Sequence, residues 1–460
     1  MNEIDSLLSG YTVHFRQEMT SMGWWNKITY GWLVVLAGFF SHLFTYGISW
    51  SVGVFFVVYL DAFQESKGMT AWTGSLNTAC MYGIGPVASI LTNKFGYRVT
   101  MMTGGVLSAV GLATSALSTN IYHLYVTFGI VTGCGFGICY IPTIAVLAVY
   151  FSKNLTLAFG LSSAGVGIGT FVYPPLITSL ISLYGWRGCM LILSAITLNL
   201  CVCGAIMKPN PIQTSSLTEV DERCPMDDIE TSAPQNNVFD IKVLTNLNFL
   251  FMCLSSFLYC FGHSIVYVHF GEYAITRGIK ENQATFLFSV IGISNLIGKL
   301  IYGSISTVKH PCANIILMFA ISLTSSGLLT MTIPFQTGYP LLVIFSVVFG
   351  VCSAAFGVLP SGIVHQFLGT KNLATGYGIL CIFCAMGTLP GAPIAGEMFD
   401  SVKRYAESFY LGGVAIGLSG VIMIIPYLRT RTSGHLQNNI NVTAADDFTK
   451  QSLLDIATDH

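Results

Sequence analysis

Long apolar runs alternate with short polar breaks along most of the chain, beginning near Tyr30. A helix needs about 20 apolar residues to cross the hydrocarbon core of a bilayer, and each run is close to or above that length. Breakers such as Lys94-Phe95-Gly96 and Lys309-His310-Pro311 separate neighbouring runs. The pattern therefore predicts twelve transmembrane helices. Their predicted ranges are 30–58, 70–92, 98–118, 121–148, 156–180, 187–207, 243–270, 283–304, 312–333, 339–366, 374–396 and 408–428.

The longest interruption of this pattern lies in the middle of the chain, from Lys208 to Asp240. It is polar and contains prolines and a cluster of acidic residues, which is typical of a flexible linker. The pattern thus predicts an all-α membrane protein in five parts. They are a tail 1–28, a six-helix bundle 29–207, the linker 208–240, a second six-helix bundle 241–428 and a tail 429–460.

The two predicted bundles are copies of each other. When the sequence is shifted by 218 residues, helices 4 and 5 align with helices 10 and 11 without a gap. Pro142 then aligns with Pro360, and Lys153-Asn154-Leu155 aligns with Lys371-Asn372-Leu373. Two parallel repeats of six helices resemble the major facilitator fold, in which a solute binds near the bilayer midplane between the repeats.

The composition supports a chain solvated by lipid. Hydrophobic residues make up 53% and charged residues 9% of the 460 residues, whereas soluble globular proteins carry roughly a quarter charged residues. A net charge of −1 argues against a nucleic-acid partner. Cys201-x-Cys203 and Cys381-x-x-Cys384 lie in apolar runs without further ligands nearby, so we expect neither a metal site nor a cofactor.

Basic residues predict the orientation of the helices. Thirteen of the twenty Lys and Arg residues fall on the side of the N-terminus, six fall on the other side, and Lys299 lies within a span. Cytoplasmic segments carry the excess of Lys and Arg in membrane proteins, so both termini are predicted to be cytoplasmic.

Lys299 lies near the middle of predicted helix 8. A charge at the bilayer centre costs roughly 2.5–3.5 kcal/mol on insertion scales and usually marks a functional site; the alternative is a lysine that snorkels to the interface. Apart from Glu397 and Asp400 at the outer end of helix 11, the acidic residues fall in predicted tails, the linker or loops, so none pairs with Lys299. Such a lysine suits a solute that brings its own carboxylate, with the amine either charged at rest or protonated together with the anion.

Other polar or small residues lie at bilayer depth. His42 in helix 1 and His365 in helix 10 are candidates for a proton relay, since histidine titrates near neutral pH; histidines hydrogen-bonded between helices are the alternative. Aromatic residues near the axis suit a solute with a cationic or aromatic part. Gly165 and Gly169 in helix 5 either let helices pack closely or allow the bending that alternating access requires.

Several segments resemble the monocarboxylate transporter family. YFSKNLTLAFGLSSAGVGIG at residues 150–169 resembles that family's helix 4–5 signature, and Tyr30-Gly31-Trp32 matches the end of its helix 1 signature. The segment from Val52 to Trp72 is most similar to the divergent members associated with carnitine or creatine. The resemblance implies a plasma-membrane solute carrier of the major facilitator fold. It also makes a single-span immunoglobulin-like chaperone subunit a candidate partner.

The resemblance further implies a binding site. Trp50 stands where lactate transporters have a helix 1 lysine, and Asn295 and Lys299 replace an aspartate and an arginine in helix 8. The predicted substrate-binding residues are Lys299, Asn295, Tyr46, Trp50, Phe356 and Ser353. The predicted gating residues are Lys153, Arg98, Gly165 and Gly169.

These features predict a carrier that moves a small carboxylate or zwitterion by alternating access. We expect facilitative transport, because most residues of the lactate-type proton machinery are replaced. Two alternatives remain: a proton-coupled symporter of the lactate or pyruvate type, and a non-transporting polytopic receptor or scaffold. No catalytic pair is recognisable at bilayer depth, so we do not expect an enzyme.

Overall fold

The computed structural model describes residues 30–151, 155–207, 241–306, 314–336, 338–369 and 373–430. All twelve predicted helices are present there, and the described residues form no β-strand. The predicted tail 1–28 and linker 208–240 lie outside these ranges, as does the predicted tail 429–460 beyond Thr430. The helices are α1 Tyr30–Phe63, α2 67–95, α3 97–115, α4 121–150, α5 155–184, α6 186–206, α7 Leu247–Thr276, α8 Glu281–Ser306, α9 Ile315–Met331, α10 Tyr339–Leu368, α11 Leu373–Val402 and α12 Ala406–Thr430.

Two pairs of helices are joined directly through a glycine. Gly96, with φ 81°, separates α2 from α3, and Gly185, with φ 68°, separates α5 from α6. Glycine adopts this left-handed conformation without the steric penalty that a Cβ would bring. The helix break predicted at Lys94-Phe95-Gly96 is therefore confirmed, and its cause is the backbone conformation at the glycine.

Four helices begin at a polar side chain that caps the first turn. Ser66 Oγ accepts a hydrogen bond from the Met69 N–H at the start of α2. Asn120, Asn246 and Asn314 cap α4, α7 and α9 in the same way. The first amides of a helix have no partner within it, and such caps satisfy one or two of them. These polar residues therefore determine where the four helices begin.

The outer surface of the bundle is apolar. Large apolar side chains such as Ile344 and Leu328 are 59% and 60% exposed, which is expected where lipid rather than water surrounds the protein. Nine stretches of the described residues are long and apolar enough to span a membrane, and one of them contains both α5 and α6. Only α2 and α3 do not reach this apolarity; in α2, buried polar residues such as Thr70 and Asn77 contribute.

α1 and α7 run further than predicted, to Phe63 and Thr276 rather than to residues 58 and 270. Glu272 therefore lies in the last turns of α7, and its prediction as a loop residue was wrong. The apolar pattern stops where a helix leaves the hydrocarbon layer, whereas the hydrogen-bonded backbone continues past that level.

The two halves pack on each other mainly through α2 with α11 and α5 with α8. Glycines bring α5 and α8 close together. A Cβ at Gly167 would lie 2.7 Å from Leu296 Cβ, and one at Gly292 would lie 2.6 Å from the backbone nitrogen of Phe171. Small residues let helix backbones approach in this way, and the resulting contact is smooth.

Lys67, the first residue of α2, binds the second half at one end of the bundle. Its Nζ donates hydrogen bonds to Glu272 Oε1 at 2.9 Å and to the Tyr405 hydroxyl at 2.8 Å. The same ammonium lies 3.8 Å from the centre of the Phe399 ring. Within the described part of the chain, Lys67 and Glu272 form the one ion pair. We call this end of the bundle the Lys67 end, and the opposite end, which contains the turn between α2 and α3, the Gly96 end.

The backbone of α2 is held at the same place. Asp400 at the end of α11 accepts hydrogen bonds from the backbone N–H of Lys67 at 3.3 Å and of Gly68 at 3.0 Å. A Cβ at Gly68 would lie 2.6 Å from Glu397 Cγ, so a larger residue would have to displace the Glu397 side chain for α2 to approach α11 this closely. The two halves are therefore closed against each other at the Lys67 end.

Replacing Lys67 by methionine keeps the apolar stem and removes the ammonium. We expect the Lys67 end to open more often, because the hydrogen-bonded ion pair with Glu272 and the hydrogen bond to Tyr405 are lost. Cys260 on α7 faces the space between the halves. Its labelling by a membrane-impermeant maleimide, supplied from the side of the Lys67 end and read by peptide mass spectrometry, should rise several-fold.

Lys280→Met is the matched control, since Lys280 is exposed near the same end of the bundle. It should leave the labelling of Cys260 unchanged. Equal labelling of Cys260 in wild type and Lys67→Met would show that the Lys67 contacts do not hold this end closed.

Candidate functional site

A cavity lies between the two halves and contains about 1030 Å³ of unoccupied space, part of it open to solvent. Four helices of each half line it: α1, α2, α4 and α5 from the first, and α7, α8, α10 and α11 from the second. The residues predicted to bind substrate are all in its wall, namely Lys299, Asn295, Tyr46, Trp50, Phe356 and Ser353.

Lys299 is the one charged residue among the described residues that line the cavity. Its side chain is 9% exposed, and its Nζ donates to the backbone carbonyl of Ser163 on α5 at 3.5 Å. Gly357 on α10 leaves room for the lysine, because a Cβ there would lie 2.9 Å from Lys299 Cε. The ammonium therefore lies in the cavity between the halves and does not snorkel to the interface. A single carbonyl compensates its charge poorly.

Asn295 lies one turn before Lys299 and ties α8 to α10. Its Nδ2 donates to the backbone carbonyl of Gly350 and to Ser353 Oγ, both at 3.3 Å. The Tyr259 hydroxyl of α7 donates to the backbone carbonyl of Ser353 at 3.5 Å. These bonds fix α8 against its neighbours and so hold Lys299 in position.

Two ladders of rings run along the cavity wall, one on α1 and one on α7. Residues four apart share a face of a helix, so each ladder presents three rings to the cavity. The ladders are His42, Tyr46 and Trp50 on α1, and Tyr259, His263 and Tyr267 on α7. They meet at Trp50, whose ring centre lies 4.8 Å from that of His263 and 4.7 Å from that of Tyr267. This contact bounds the cavity toward the Lys67 end.

The internal repeat places corresponding positions on the cavity wall. The shift of 218 residues superposes four lining residues of α5 on four lining residues of α11. The pairs are Phe159 with Tyr377, Ser163 with Cys381, Val166 with Cys384 and Thr170 with Thr388. The same helix face is thus used twice, but most of the side chains differ. The cavity is therefore chemically asymmetric although its backbone is repeated.

His42 begins the ladder of α1 and is buried. Its Nδ1 lies 2.8 Å from the backbone carbonyl of Gly38 and 3.1 Å from Ser162 Oγ. Its ring centre lies 5.9 Å from that of Tyr46 and 5.8 Å from that of Tyr140. The histidine is therefore oriented by the backbone of its own helix and enclosed by other residues of the cavity wall.

The chain matches the model of the Major Facilitator Superfamily in two overlapping segments, residues 38–315 and 252–452. It is 31% identical to monocarboxylate transporter 12 of Xenopus laevis over 404 residues, which cover 86% of this chain and 88% of that protein. It is 32% identical to monocarboxylate transporter 13 of Rattus norvegicus over 414 residues, which cover 90% and 91%. The chain belongs to the monocarboxylate transporter family. It is a multi-pass membrane protein and a solute carrier of the major facilitator type, with a small-molecule substrate, and not an enzyme.

In this monocarboxylate transporter the three predicted gating residues that the structure describes do not line the cavity. A Cβ at Gly165 would meet a backbone carbonyl of α1, and one at Gly169 would lie 2.7 Å from another, so both glycines bring α5 close to α1 within the first half. Arg98 is exposed in the first turn of α3, near the Gly96 end. Lys153 lies outside the described residues.

His365 is not brought to the cavity either. It lies in the last turn of α10 with an exposed side chain, whereas Pro360 is the last residue of that helix in the cavity wall. α10 continues beyond the cavity toward the Gly96 end, and His365 lies on that extension. Of the two candidate relay histidines, the structure therefore brings only His42 to the site.

Sequence reasoning missed Tyr259, Tyr267 and Tyr377 in the cavity wall. A signal for them was present in the repeat. The spacing of four residues along α7 mirrors that along α1, and the 218-residue shift aligns Tyr377 with Phe159. Hydrophobicity alone does not distinguish a tyrosine that faces the cavity from one that packs between helices.

Replacing Gly357 by valine should displace the stem of Lys299. We expect the KM of solute uptake to rise about tenfold, which corresponds to a loss of about 1.4 kcal/mol of binding free energy as the ammonium is displaced. The measurement is the concentration dependence of uptake in proteoliposomes with matched amounts of transporter. Gly303→Val on α8 is the control, since a Cβ at Gly303 meets nothing within 4 Å. A KM for Gly357→Val equal to that of the control would mean that this contact does not position Lys299.

Proposed function

We propose that this transporter carries a small carboxylate or a zwitterion and that Lys299 binds the carboxylate. The supporting observation is the buried ammonium in a cavity whose described lining contains no Asp or Glu. An incoming carboxylate would compensate that charge and form a charge-assisted hydrogen bond with Nζ. The names of the relatives, monocarboxylate transporters 12 and 13, refer to the same class of solute.

The ring ladders support a solute with an organic body larger than the carboxylate itself. Tyr46, Trp50 and Phe356 offer ring faces, which attract apolar groups and also cations. A carboxylate at Lys299 with an apolar or cationic remainder against these rings would satisfy both parts of the site. Ligand pockets commonly combine an apolar wall with few oriented polar groups in this way.

We further propose that transport is facilitative. The cavity wall offers Lys299 and histidines but no carboxyl group among the described residues, and Trp50 replaces the helix 1 lysine expected of the lactate transporters. A proton-coupled lactate or pyruvate symporter is the second candidate, because His42 borders the cavity and histidine is a common proton carrier.

The distribution of Lys and Arg supports a cytoplasmic Gly96 end with both termini in the cytoplasm, and we propose the plasma membrane as the location. In that orientation the structure is closed on the outside through the Lys67 contacts. The transport cycle then requires the Lys67 end to open while the Gly96 end closes, with Lys299 accessible in turn from each side.

Lys299→Ala should abolish uptake. Losing one partner of a buried charge pair typically costs about 2–5 kcal/mol, so affinity for the carboxylate should fall at least about 30-fold. Uptake of a panel of labelled carboxylates and zwitterions, normalised to transporter at the cell surface, measures this effect. Lys280→Ala removes an exposed lysine and should retain wild-type uptake. Wild-type uptake by Lys299→Ala would move the carboxylate site elsewhere.

Coupling of solute transport to protons is tested in liposomes. The flux of the solute from the panel with the highest uptake is measured with and without an inward proton gradient. A facilitative carrier should show similar initial rates in both cases and should equilibrate the solute without concentrating it. Strong stimulation by the gradient, with accumulation above the external concentration, would establish the symporter instead.

A further inference from the structure

The imidazole of His42 is fixed by a contact that determines which nitrogen carries the proton. Nδ1 lies 2.8 Å from the backbone carbonyl of Gly38, four residues earlier in α1. A carbonyl oxygen only accepts hydrogen bonds, so Nδ1 must be the donor. Ser162 Oγ, 3.1 Å from the same nitrogen, is bound on that side of the ring as well. The neutral ring therefore has its lone pair on Nε2.

Nε2 is buried and has no hydrogen-bond partner in the described part of the protein. It lies on the edge of the ring away from the α1 backbone. The residues around the ring, Tyr46, Tyr140 and Phe159, all belong to the cavity wall. An acceptor left unpaired in such surroundings is unfavourable, and buried polar atoms without a partner are uncommon.

The neutral form of His42 is favoured by its neighbourhood. The adjacent residues Ser162 and Ser163 of α5 contact His42 and Lys299 respectively, so both groups lie beside the same turn of α5. An imidazolium there would add a second buried cation close to Lys299, and no carboxylate lines the described wall to balance it. The site therefore offers a cation for a carboxylate and, nearby, a hydrogen-bond acceptor.

We propose that, when the rings enclosing it shift on solute binding, His42 Nε2 accepts a hydrogen bond from an N–H or O–H group of the bound solute and thereby determines specificity. The inference rests on the proposed carboxylate transport by Lys299. It narrows the substrate class to carboxylates with a second, donor-bearing polar group, such as a hydroxyl, an amine or an amide. A solute without a donor leaves the acceptor unpaired, which is how a polar site rejects an analogue that lacks the matching group.

The test compares pairs of solutes that differ only in the donor. Labelled ω-hydroxycarboxylates of three to six carbons are compared with the corresponding unsubstituted carboxylates, because the chain length sets the separation between carboxylate and hydroxyl. For the length that fits, we expect the wild-type kcat/KM of uptake to favour the hydroxy compound by at least about tenfold. In His42→Phe, which keeps an aromatic ring and removes the acceptor, this ratio should fall close to one.

Two further variants separate recognition from structure. His42→Gln retains a side-chain acceptor and should retain part of the preference. His269→Phe is the matched control: His269 is also a buried histidine with one nitrogen bound to a backbone carbonyl and the other unpaired, but it does not line the cavity. The solute ratio in His269→Phe should equal that of wild type. Because the readout is a ratio within one variant, a reduced amount of folded transporter does not affect it.

The outcomes separate this inference from the proposed function. Uptake of several carboxylates that depends on Lys299 but shows no preference for the donor-bearing member at any length overturns the role of His42 and leaves the carboxylate site intact. A preference that persists in His42→Phe also overturns it. If wild-type transporter takes up no carboxylate of either series or of the wider panel, the proposed function itself fails.

Discussion

The buried charge of Lys299 is the constraint around which the central cavity is organised. A cation at this depth is unfavourable unless a partner of opposite charge reaches it, and the surrounding wall offers one backbone carbonyl at 3.5 Å. The remaining contacts serve to keep the amine in place. Asn295 ties its helix to α10, and Gly357 leaves the space that its stem occupies. The charge of Lys299 gives the cavity a positive potential, which favours an anionic group over a neutral one.

The repeated architecture suits the proposed exposure of this charge to each side of the membrane in turn. Each half contributes corresponding helices to the wall, and the halves touch through smooth contacts between α5 and α8, where Gly167 and Gly292 remove side-chain obstacles. Stronger polar contacts between the halves are found at the Lys67 end. In the proposed transport cycle, rocking of one half on the other would exchange a few hydrogen bonds and leave the core of each bundle unchanged.

Much of this could be predicted from the sequence, because lipid imposes simple rules. Apolar length gave the number of helices, and the alignment of Pro142 with Pro360 revealed the repeat. The position of Lys299 in a predicted span without acidic residues indicated a cavity-facing lysine, and the structure places it in the cavity wall. All three features depend on composition and on spacing along the chain. Predicting them requires no knowledge of side-chain orientation.

Orientation around each helix axis was harder to predict. His365 and His42 both lie in apolar runs of the sequence. In the structure, however, α10 extends past the cavity at His365, whereas the Gly38 carbonyl orients His42 beside the cavity. Tyr259 and Tyr267 were missed because an aromatic residue in an apolar run fits lipid, packing and cavity equally well. Glu272 was misplaced because α7 extends beyond its apolar segment, and its ion pair with Lys67 joins residues more than 200 positions apart.

The cap on α2 has a consequence for how the protein is made. The first amides of that helix, at Lys67 and Gly68, are satisfied by Asp400, which is more than 330 residues later in the chain. During synthesis the first bundle enters the membrane long before Asp400 is made. Until then, the cap that the neighbouring sequence provides for the first turn of α2 is Ser66. The closed Lys67 end can therefore form only after α11 has been made, and a chain truncated before α11 would insert its first six helices without acquiring this contact.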